Sequence, residues 1–352
     1  MSITTNHTPI SLLKQIIAIP SLSGEEDLLS RFLENWLRSH GFIVNRKHNN
    51  LWVESIIDEK YPKILINSHM DTVKVVAGWT KDPYIPQEEG GKLYGLGCSD
   101  AGGSVVAMIF AFMKLAEIKD RNYNLVLLIS AEEEKSGPKG ITTALAEIGK
   151  IDLAIVGEPT DLDMAICERG LIVIDCFARG SAGHVAHKGG ENAIYKALKD
   201  IEKIQKLSFP KSSELLGEVQ MEVTQIEAGY QHNVIPDECR FVIDVRTNEH
   251  YTNQEVVDYL KKELESEITP RSLRLHSSSL SPDHSLVTKA KAMGIQTFGS
   301  KTMSDQALIP APSVKLGPGK SELSHKADEH IVIEEIEKAI DLYYNLLKDF
   351  SV

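Results

Sequence analysis

The sequence predicts an α/β fold: a mainly parallel sheet covered by helices, with a second, α+β domain inserted into the first. Three strand-like runs, at residues 64–66, 125–129 and 153–156, are apolar throughout rather than alternating. A helix predicted over residues 104–115, apolar on all sides, separates two of them. Strands of this kind, separated by helices, are typical of a parallel sheet buried on both faces. The length of 352 residues suggests about two domains.

The first predicted element is a helix that begins near Ser23. Ser23 and Glu26, three residues apart, form the pattern of a capping box. Gly41 follows the last apolar position and is expected to end the helix. The apolar face that should pack on the core consists of Leu28, Leu29, Phe32, Leu33, Trp36 and Leu37.

The pattern changes near residue 168, where strand-like and amphipathic helical segments begin to alternate. The predicted strands are 171–177 and 241–245, and the predicted helices are 192–207 and 253–264. The first pattern resumes after about residue 281 and ends in a helix over 334–347. We therefore predict a domain of residues 1–167 plus 281–352, interrupted at a surface loop by a domain of residues 168–280.

Composition excludes several classes of function. The formal net charge of −12 argues against binding to nucleic acid or to an anionic membrane. No apolar run approaches the roughly 18 residues that a membrane span requires. The N-terminus lacks a basic region followed by an apolar core, so no signal peptide is expected. Four scattered cysteines without a C-x-x-C pair favour reduced thiols in a cytoplasmic enzyme.

Metal-binding residue types stand at the ends of the predicted strands. His69 and Asp71 follow the first strand and can share a face, so that Asp71 accepts the spare ring N–H of His69. Glutamates 132–134 follow the second strand, Glu158 follows the third, and Asp100 lies in a glycine-rich turn. Alone, a glutamate run is usually solvated surface and Gly-Glu-Pro a turn. Together, carboxylates at one sheet edge would repel each other unless a cation neutralised them.

These motifs, together with a late His325, occur in the order and at the spacing of a known family. The chain resembles the two-zinc amidohydrolases and exopeptidases that include acetylornithine deacetylase, acetyl-lysine deacetylase and succinyl-diaminopimelate desuccinylase. The resemblance covers essentially the whole chain. It implies a zinc-peptidase-like catalytic domain with an inserted lid and dimerisation domain.

The resemblance also implies a ligand set for two Zn²⁺ ions. His69 and Glu158 would bind one ion, Glu134 and His325 the other, and Asp100 would bridge them. Each ion would keep an open position for water. Cobalt or manganese suits these nitrogen and oxygen ligands nearly as well.

Glu133 resembles the general base of the family, which takes a proton from water and passes it to the leaving amine. The triple glutamate leaves a second register open, in which Glu132 is the base and Glu133 the ligand. The residues before it, 128–131, align better with the first register. Two departures from the family pattern, at Leu96 and at residues 101–103, concern packing of the glycine-rich turn and supply no ligand.

His184 matches a histidine of the family's lid domain that comes from the neighbouring subunit and stabilises the oxyanion. The resemblance thus implies a homodimer formed through the lid and a lid closure. The alternative is that His184 merely caps a loop. His187, three residues on, is the expected bystander.

Four further residues resemble substrate contacts. Asn233 and Arg246 would hold the substrate carboxylate, although Arg246 could instead pair with Asp244. Gly317 and Gly319 belong to a loop whose backbone N–H groups would reach a carboxylate or acyl oxygen. Residues 304–305, Ser-Asp, are expected to shape the same pocket.

The resulting prediction is hydrolysis of a small N-acyl amino acid, with N-acetylornithine as the first substrate and arginine biosynthesis as the setting. Alternatives within the family are N-acetylcitrulline, N-succinyl amino acids, N-acetyl-lysine and dipeptides. An alternative from another class is a non-catalytic protein that binds amino acids. Glu133 argues against it, because a binding protein has no use for a base beside the metal.

Overall fold

The computed structural model describes residues 8–187 and 189–351. Residues 1–7, on which the expectation of no signal peptide rests, lie outside this part. The described chain forms two compact units, the first of residues 8–166, 279–298 and 304–351, the second of the remainder. The second unit thus begins at residue 167 and leaves at 278, where the sequence suggested 168 and 280. It also includes residues 299–303, which the sequence pattern did not indicate.

The described residues form eight α-helices and eighteen strands. The helices are α1 (Pro9–Ile17), α2 (Asp27–Ser39), α3 (Gly103–Ala116), α4 (Ile141–Ile148), α5 (Ala193–Lys206), α6 (Asn253–Glu263), α7 (Ser285–Ala292) and α8 (Ile333–Leu347). The strands are β1 (Asn45–Lys47), β2 (Asn50–Ser55), β3 (Lys63–His69), β4 (Gln87–Glu89), β5 (Lys92–Tyr94), β6 (Asn124–Ser130), β7 (Leu153–Val156), β8 (Met164–Glu168), β9 (Gly170–Arg179), β10 (Gly183–His184), β11 (Gln220–Ala228), β12 (Val234–Ile235), β13 (Glu238–Thr247), β14 (Glu267–Pro270), β15 (Ser278–Ser279), β16 (Thr297–Ser300), β17 (Ser313–Lys315) and β18 (His330–Val332).

The main sheet has the order β1-β2-β6-β3-β7-β17-β8-β15, with β16 beside β8. Its four central strands, β6, β3, β7 and β17, are parallel. The flanking pairs β1–β2, β2–β6 and β17–β8 are antiparallel. The α/β prediction is confirmed, with the parallel part confined to the centre of the sheet.

The core of the first unit is built around the apolar helix α3. Ten of its residues are buried, and the apolar side chains among them join the buried faces of α1, α2, α8 and the central strands in one cluster. The segment Cys98–Ala116 is apolar and long enough to cross a membrane by length and composition, so the prediction that no apolar run approaches that length was wrong. Because 78% of its most apolar window is buried within the protein, it has the character of a core helix.

Helix α2 begins differently from the prediction. The residue before its first turn is Glu26 rather than Ser23, and no side chain caps it. The Glu26 carboxylate is buried and instead accepts hydrogen bonds from the backbone of Gly24 and from Asn49 Nδ2. Leu28, assigned to the apolar face, is 67% exposed. The capping-box prediction was wrong because the Glu26 carboxylate forms hydrogen bonds to other parts of the chain and does not cap the helix.

The second unit is an antiparallel sheet with two helices. Its four strands run in the order β11-β13-β9-β14, and the pairs are antiparallel. Buried residues of β9 and β13 alternate with mostly half-buried ones and form an apolar cluster with α5 and α6. The unit has the predicted α+β character.

The parallel centre of the first sheet brings three loops to one edge. His69 is the last residue of β3, glutamates 132–134 follow β6, and Glu158 follows β7 by two residues. Since these strands are parallel and adjacent, their carboxyl ends lie together. The four cysteines are all free and buried.

Candidate metal centre

His69 is held with one ring nitrogen turned toward carboxylates. Its Nδ1 donates a hydrogen bond to the backbone oxygen of Asp71 at 3.0 Å. Its Nε2 lies 3.2 Å from Asp100 Oδ1 and 3.9 Å from Glu158 Oε1. The hydrogen bond at Nδ1 fixes the tautomer, so that Nε2 is the nitrogen available to a metal.

Asp100 lies between the two histidines. While Oδ1 faces His69, Oδ2 is 3.7 Å from His325 Nε2. His325 Nε2 is also 2.9 Å from Glu134 Oε2. Ligand atoms of His69, Asp100 and Glu134 all lie within 4.8 Å of one another. The two oxygens of Asp100 thus face different histidines, as a bridging ligand requires.

The carboxyl groups of this cluster have displaced pKa values. Burial, reinforced by neighbouring carboxylates, raises the pKa of Glu134 to about 8 and that of Glu158 to about 8. Burial likewise raises the pKa of Glu133 well above its usual value. For Asp100, burial acts in the same direction, but the hydrogen bond with His69 prevails and lowers the pKa.

The cluster has the composition of a site for two divalent cations. Glu158 Oε1 is buried and has no hydrogen-bond partner among the described residues. An orphaned carboxylate oxygen beside other carboxylates is costly unless a cation binds it. His69 with Glu158, and Glu134 with His325, joined by Asp100, give the mixed nitrogen and oxygen ligands that zinc, cobalt and manganese accept.

Asp71 has a role that the sequence reasoning did not foresee. Its Oδ1 is 3.5 Å from His69 Nδ1, so the closer acceptor for that ring is its backbone oxygen. Its carboxylate accepts the backbone N–H groups of Glu133 and Glu134, each at 3.1 Å. The Asp71 carboxylate is thus placed beside His69, as predicted, and it also holds the backbone that carries these two glutamates.

The geometry favours the first register of the triple glutamate. The Glu132 carboxylate accepts the Lys139 N–H at 3.0 Å and lies 3.7 Å from Lys135 Nζ, within its own loop. Glu134 contacts His325, and the charges of His69 and of other groups in the cluster affect the pKa of Glu133. Glu133 remains the predicted base.

Glu329 was missed by the sequence reasoning. It is buried, and its carboxylate accepts N–H groups of the turn that carries Asp100. In the sequence it is one of two adjacent acidic residues in a polar segment, a pattern that usually indicates a solvated surface. Its position four residues after His325 was the only available signal.

The loop containing Gly317 and Gly319 donates its N–H groups to other side chains of the protein. The Gly317 N–H donates to Thr160 Oγ1 at 2.9 Å, and the Gly319 N–H donates to Glu335 Oε2 at 3.1 Å. A Cβ on Gly317 would lie 2.5 Å from the Glu158 backbone oxygen. Both N–H groups therefore have partners within the protein, and the expectation that they reach a substrate stays a prediction.

The Ser-Asp pair at 304–305 lies beside the cluster. Asp305 is buried and accepts a hydrogen bond from the Ser130 hydroxyl at the end of β6, at 2.5 Å. Its charge contributes to the raised pKa of Glu133, after the larger effects of burial and other neighbours. Ser304 accepts the Gln306 N–H and caps the short turn Asp305–Leu308.

In the second unit, His184 and Asn233 lie in adjacent segments. β10 pairs with β12, and the Val185 N–H donates to the Asn233 backbone oxygen at 3.1 Å. His184 Nδ1 accepts the Ala186 N–H at 3.1 Å, so a neutral ring carries its proton on Nε2. His184 therefore caps a loop, the alternative reading, and at the same time presents Nε2 as a donor.

Arg246 is paired with Asp244. Its Nε and Nη2 donate to Asp244 Oδ1 and Oδ2 at 2.7 and 3.0 Å. This two-point pair is the structural alternative considered above. The substrate role of Arg246 stays a prediction, as does that of Asn233.

Comparisons with known proteins agree with this architecture. A family model described as peptidase family M20/M25/M40 matches residues 65–349. A succinyl-diaminopimelate desuccinylase of Ehrlichia ruminantium is 27% identical and covers 97% of each chain. A tripeptidase structure from Staphylococcus aureus covers 97% of each chain at 20% identity, with a TM-score of 0.76. A dinuclear metal-binding peptidase from Bacillus subtilis covers 97% of this chain and 96% of its own at 17% identity, with a TM-score of 0.74.

Proposed function

Because the chain belongs to peptidase family M20/M25/M40 and is thus a hydrolase of amide bonds, we propose that it cleaves small N-acyl amino acids with two divalent cations. One observation carries this proposal: Asp100 faces His69 with one oxygen and His325 with the other. The Bacillus subtilis structure described as dinuclear supports the metal count. Zinc is the first candidate for both ions.

When bound, the two cations would polarise the acyl carbonyl and make a water molecule more acidic. His69 and Glu158 would hold one of them, Glu134 and His325 the other. Asp100 would contact both. The protein's part is to fix these ligands before substrate arrives, which the buried backbone contacts of Asp71 support.

Glu133 carries the proton in this proposal. Its raised pKa in the metal-free protein reflects burial and nearby negative charge. Two cations would reverse that local field and favour the carboxylate. Glu133 would then accept a proton from the attacking water and deliver it to the leaving nitrogen, which departs as a neutral amine.

We assign His184 to the developing oxyanion. Its Nε2–H is free to donate because Nδ1 is occupied by the Ala186 amide. A donor aimed at the oxyanion is needed in the transition state more than in the ground state. We propose that it acts across a homodimer formed through the lid unit.

For the substrate, we propose N-acetylornithine, because the compact length of the chain and its loop over residues 317–319 resemble those of acetylornithine and acetyl-lysine deacetylases. N-succinyl-diaminopimelate is the second candidate, because curated relatives across nearly the whole chain are named as its desuccinylases. Both carry a carboxylate next to the amide. They differ in the acyl group, which is neutral in one and charged in the other.

The test is a hydrolysis screen of the zinc-loaded protein. The panel contains acetylated ornithine, citrulline and lysine, succinylated ornithine and diaminopimelate, and several dipeptides. A clear preference for acetyl-ornithine supports the first candidate, and a preference for succinyl substrates replaces it with the second. Absence of hydrolysis with two ions bound would favour an amino-acid-binding protein.

A further inference from the structure

Glu329 is a buried carboxylate that holds the turn carrying Asp100. Its Oε2 accepts the Gly97 N–H at 2.9 Å. Its Oε1 accepts the N–H groups of Ser99 and Asp100, at 2.8 and 3.0 Å. The residue is only 2% exposed, so water does not compete for these bonds.

The turn has the form of an anion-binding concavity. Gly97 has a φ of 73°, in the left-handed region, and the N–H groups of Gly97, Ser99 and Asp100 converge on one point, while the Cys98 N–H donates to the Gly95 backbone oxygen. Glu329 places its carboxylate at that point. Burial raises the pKa of Glu329 to about 7, while the three backbone N–H groups act in the opposite direction.

Glu329 also belongs to the segment that carries His325. Its backbone oxygen accepts the Gly95 N–H at 3.1 Å. The next residue, His330, begins β18, which pairs with β5 just before Gly95. Glu329, four residues after His325, therefore binds the segment that carries Asp100 through both its side chain and its backbone.

We propose that Glu329 is a positioning residue that sets Asp100 between the two cation sites, an inference that rests on the proposed function. Asp100 must direct one oxygen to each site, so rotation of its backbone would disturb both. Glu329 prevents that rotation by binding the Asp100 N–H directly. Because it also follows His325, it couples the bridging ligand to a terminal one.

Asp328 offers a matched control on the same segment. Its carboxylate accepts the Thr80 N–H and hydroxyl, at 2.8 and 2.7 Å, and the Lys81 N–H at 3.3 Å. It thus anchors the His325 segment as Glu329 does, but to another part of the chain. A variant at Asp328 reports what general loosening of this segment does.

The test is a cobalt titration of the metal-free protein, without substrate. Glu329→Gln places an amide donor against backbone donors, and we expect the affinity for both ions to fall roughly 10–100-fold. The visible cobalt spectrum should also change, because the ligand geometry changes. The Asp328→Asn variant should show the same cobalt spectrum as the wild type. It should also bind the first cobalt ion of the titration with wild-type affinity. Glu329→Asp, which keeps two acceptor oxygens one methylene further back, is measured in parallel in case Glu329→Gln does not fold.

Two results would overturn the inference. One is a folded Glu329→Gln or Glu329→Asp protein that binds two cobalt ions with wild-type affinity and spectrum. The other is an equal loss in Asp328→Asn, which would reduce Glu329 to an anchor of the segment. If the wild type itself fails to bind two ions, the proposed function fails instead, so the two failures are distinct.

Discussion

The carboxylate of Asp71 accepts the backbone N–H of Glu134 at 3.1 Å through Oδ2, and its other oxygen accepts the N–H of Glu133. Asp71 follows β3 by two residues, whereas the glutamates follow β6. One aspartate therefore joins two neighbouring strand ends. The strand that ends in His69 thus also holds the loop that carries Glu133, the proposed base.

Asp71→Asn should lower both metal affinity and turnover without removing a ligand. The amide keeps one acceptor oxygen but turns a donor toward the second backbone N–H. We expect a loss of about 10–100-fold in metal affinity or kcat/KM, as for other residues that orient ligands. Asp58→Asn, at an exposed aspartate that accepts the Lys60 N–H, is the control and should behave as wild type.

Glu133→Gln should preserve the fold and both cation sites but lower kcat by roughly 10²–10⁴-fold, since it removes the proton acceptor. Steady-state kinetics and metal analysis of the same sample check this. Glu132→Gln is the control, because the Glu132 carboxylate bonds within its own loop. If the Glu132 variant is the inactive one, the base assignment moves to Glu132.

His184→Ala should reduce kcat by roughly 10²–10³-fold, the usual effect of losing one oxyanion donor, with unchanged metal content. His187→Ala should remain active, although the two rings lie 5.5 Å apart. Mixing inactive His184→Ala with inactive Glu133→Gln tests the dimer. Regained activity would require subunits that share a site, and its absence speaks against that arrangement.

Metal binding should release protons at pH 7. In the metal-free protein the pKa values of Glu134 and Glu158 are about 8, so both groups are mainly protonated at pH 7. A cation must displace these protons, so affinity should rise as the pH increases from 6 toward 8. Calorimetry in buffers of different ionisation enthalpy measures the proton count. Uptake of protons, or an affinity independent of pH, would contradict this prediction.

Gly317→Ala should disturb Glu158. The added Cβ would lie 2.4 Å from Ser104 Oγ and 2.5 Å from the Glu158 backbone oxygen, so the loop must move. We expect a destabilisation of about 1–3 kcal/mol in denaturant unfolding and weaker cation binding. Gly294→Ala is the control: φ is +85° there, but nothing lies within 4 Å of the added Cβ. That variant should lose stability and keep wild-type cation binding.

Sequence patterns were sufficient for elements whose signal is local. The apolar runs at β3, β6 and β7, and helix α3, were located to within a few residues because continuous burial leaves a continuous apolar record. The resemblance to the two-zinc amidohydrolases identified the candidate histidines and carboxylates, and in the structure they lie together at one edge of the sheet. Such residues can be recognised in the sequence because their chemical type is that of metal ligands.

Contacts between distant backbone and side chains left no such record. Glu26 looked like half of a capping box, but its carboxylate accepts hydrogen bonds from Asn49 and from the backbone of the loop after β6. Glu329 looked like surface, yet it binds a turn about 230 residues earlier in the chain. Such bonds depend on which segments the finished fold brings together, and neither periodicity nor propensity encodes that choice.

The chain departs from the first unit after residue 166 and returns at 279. The Leu280 N–H donates to the Ile166 backbone oxygen at 2.7 Å, so exit and re-entry are only one hydrogen bond apart. The two ends of the inserted segment therefore lie on β8 and beside β15, which are neighbouring strands of one sheet, so a change in the length of that segment need not separate these strands.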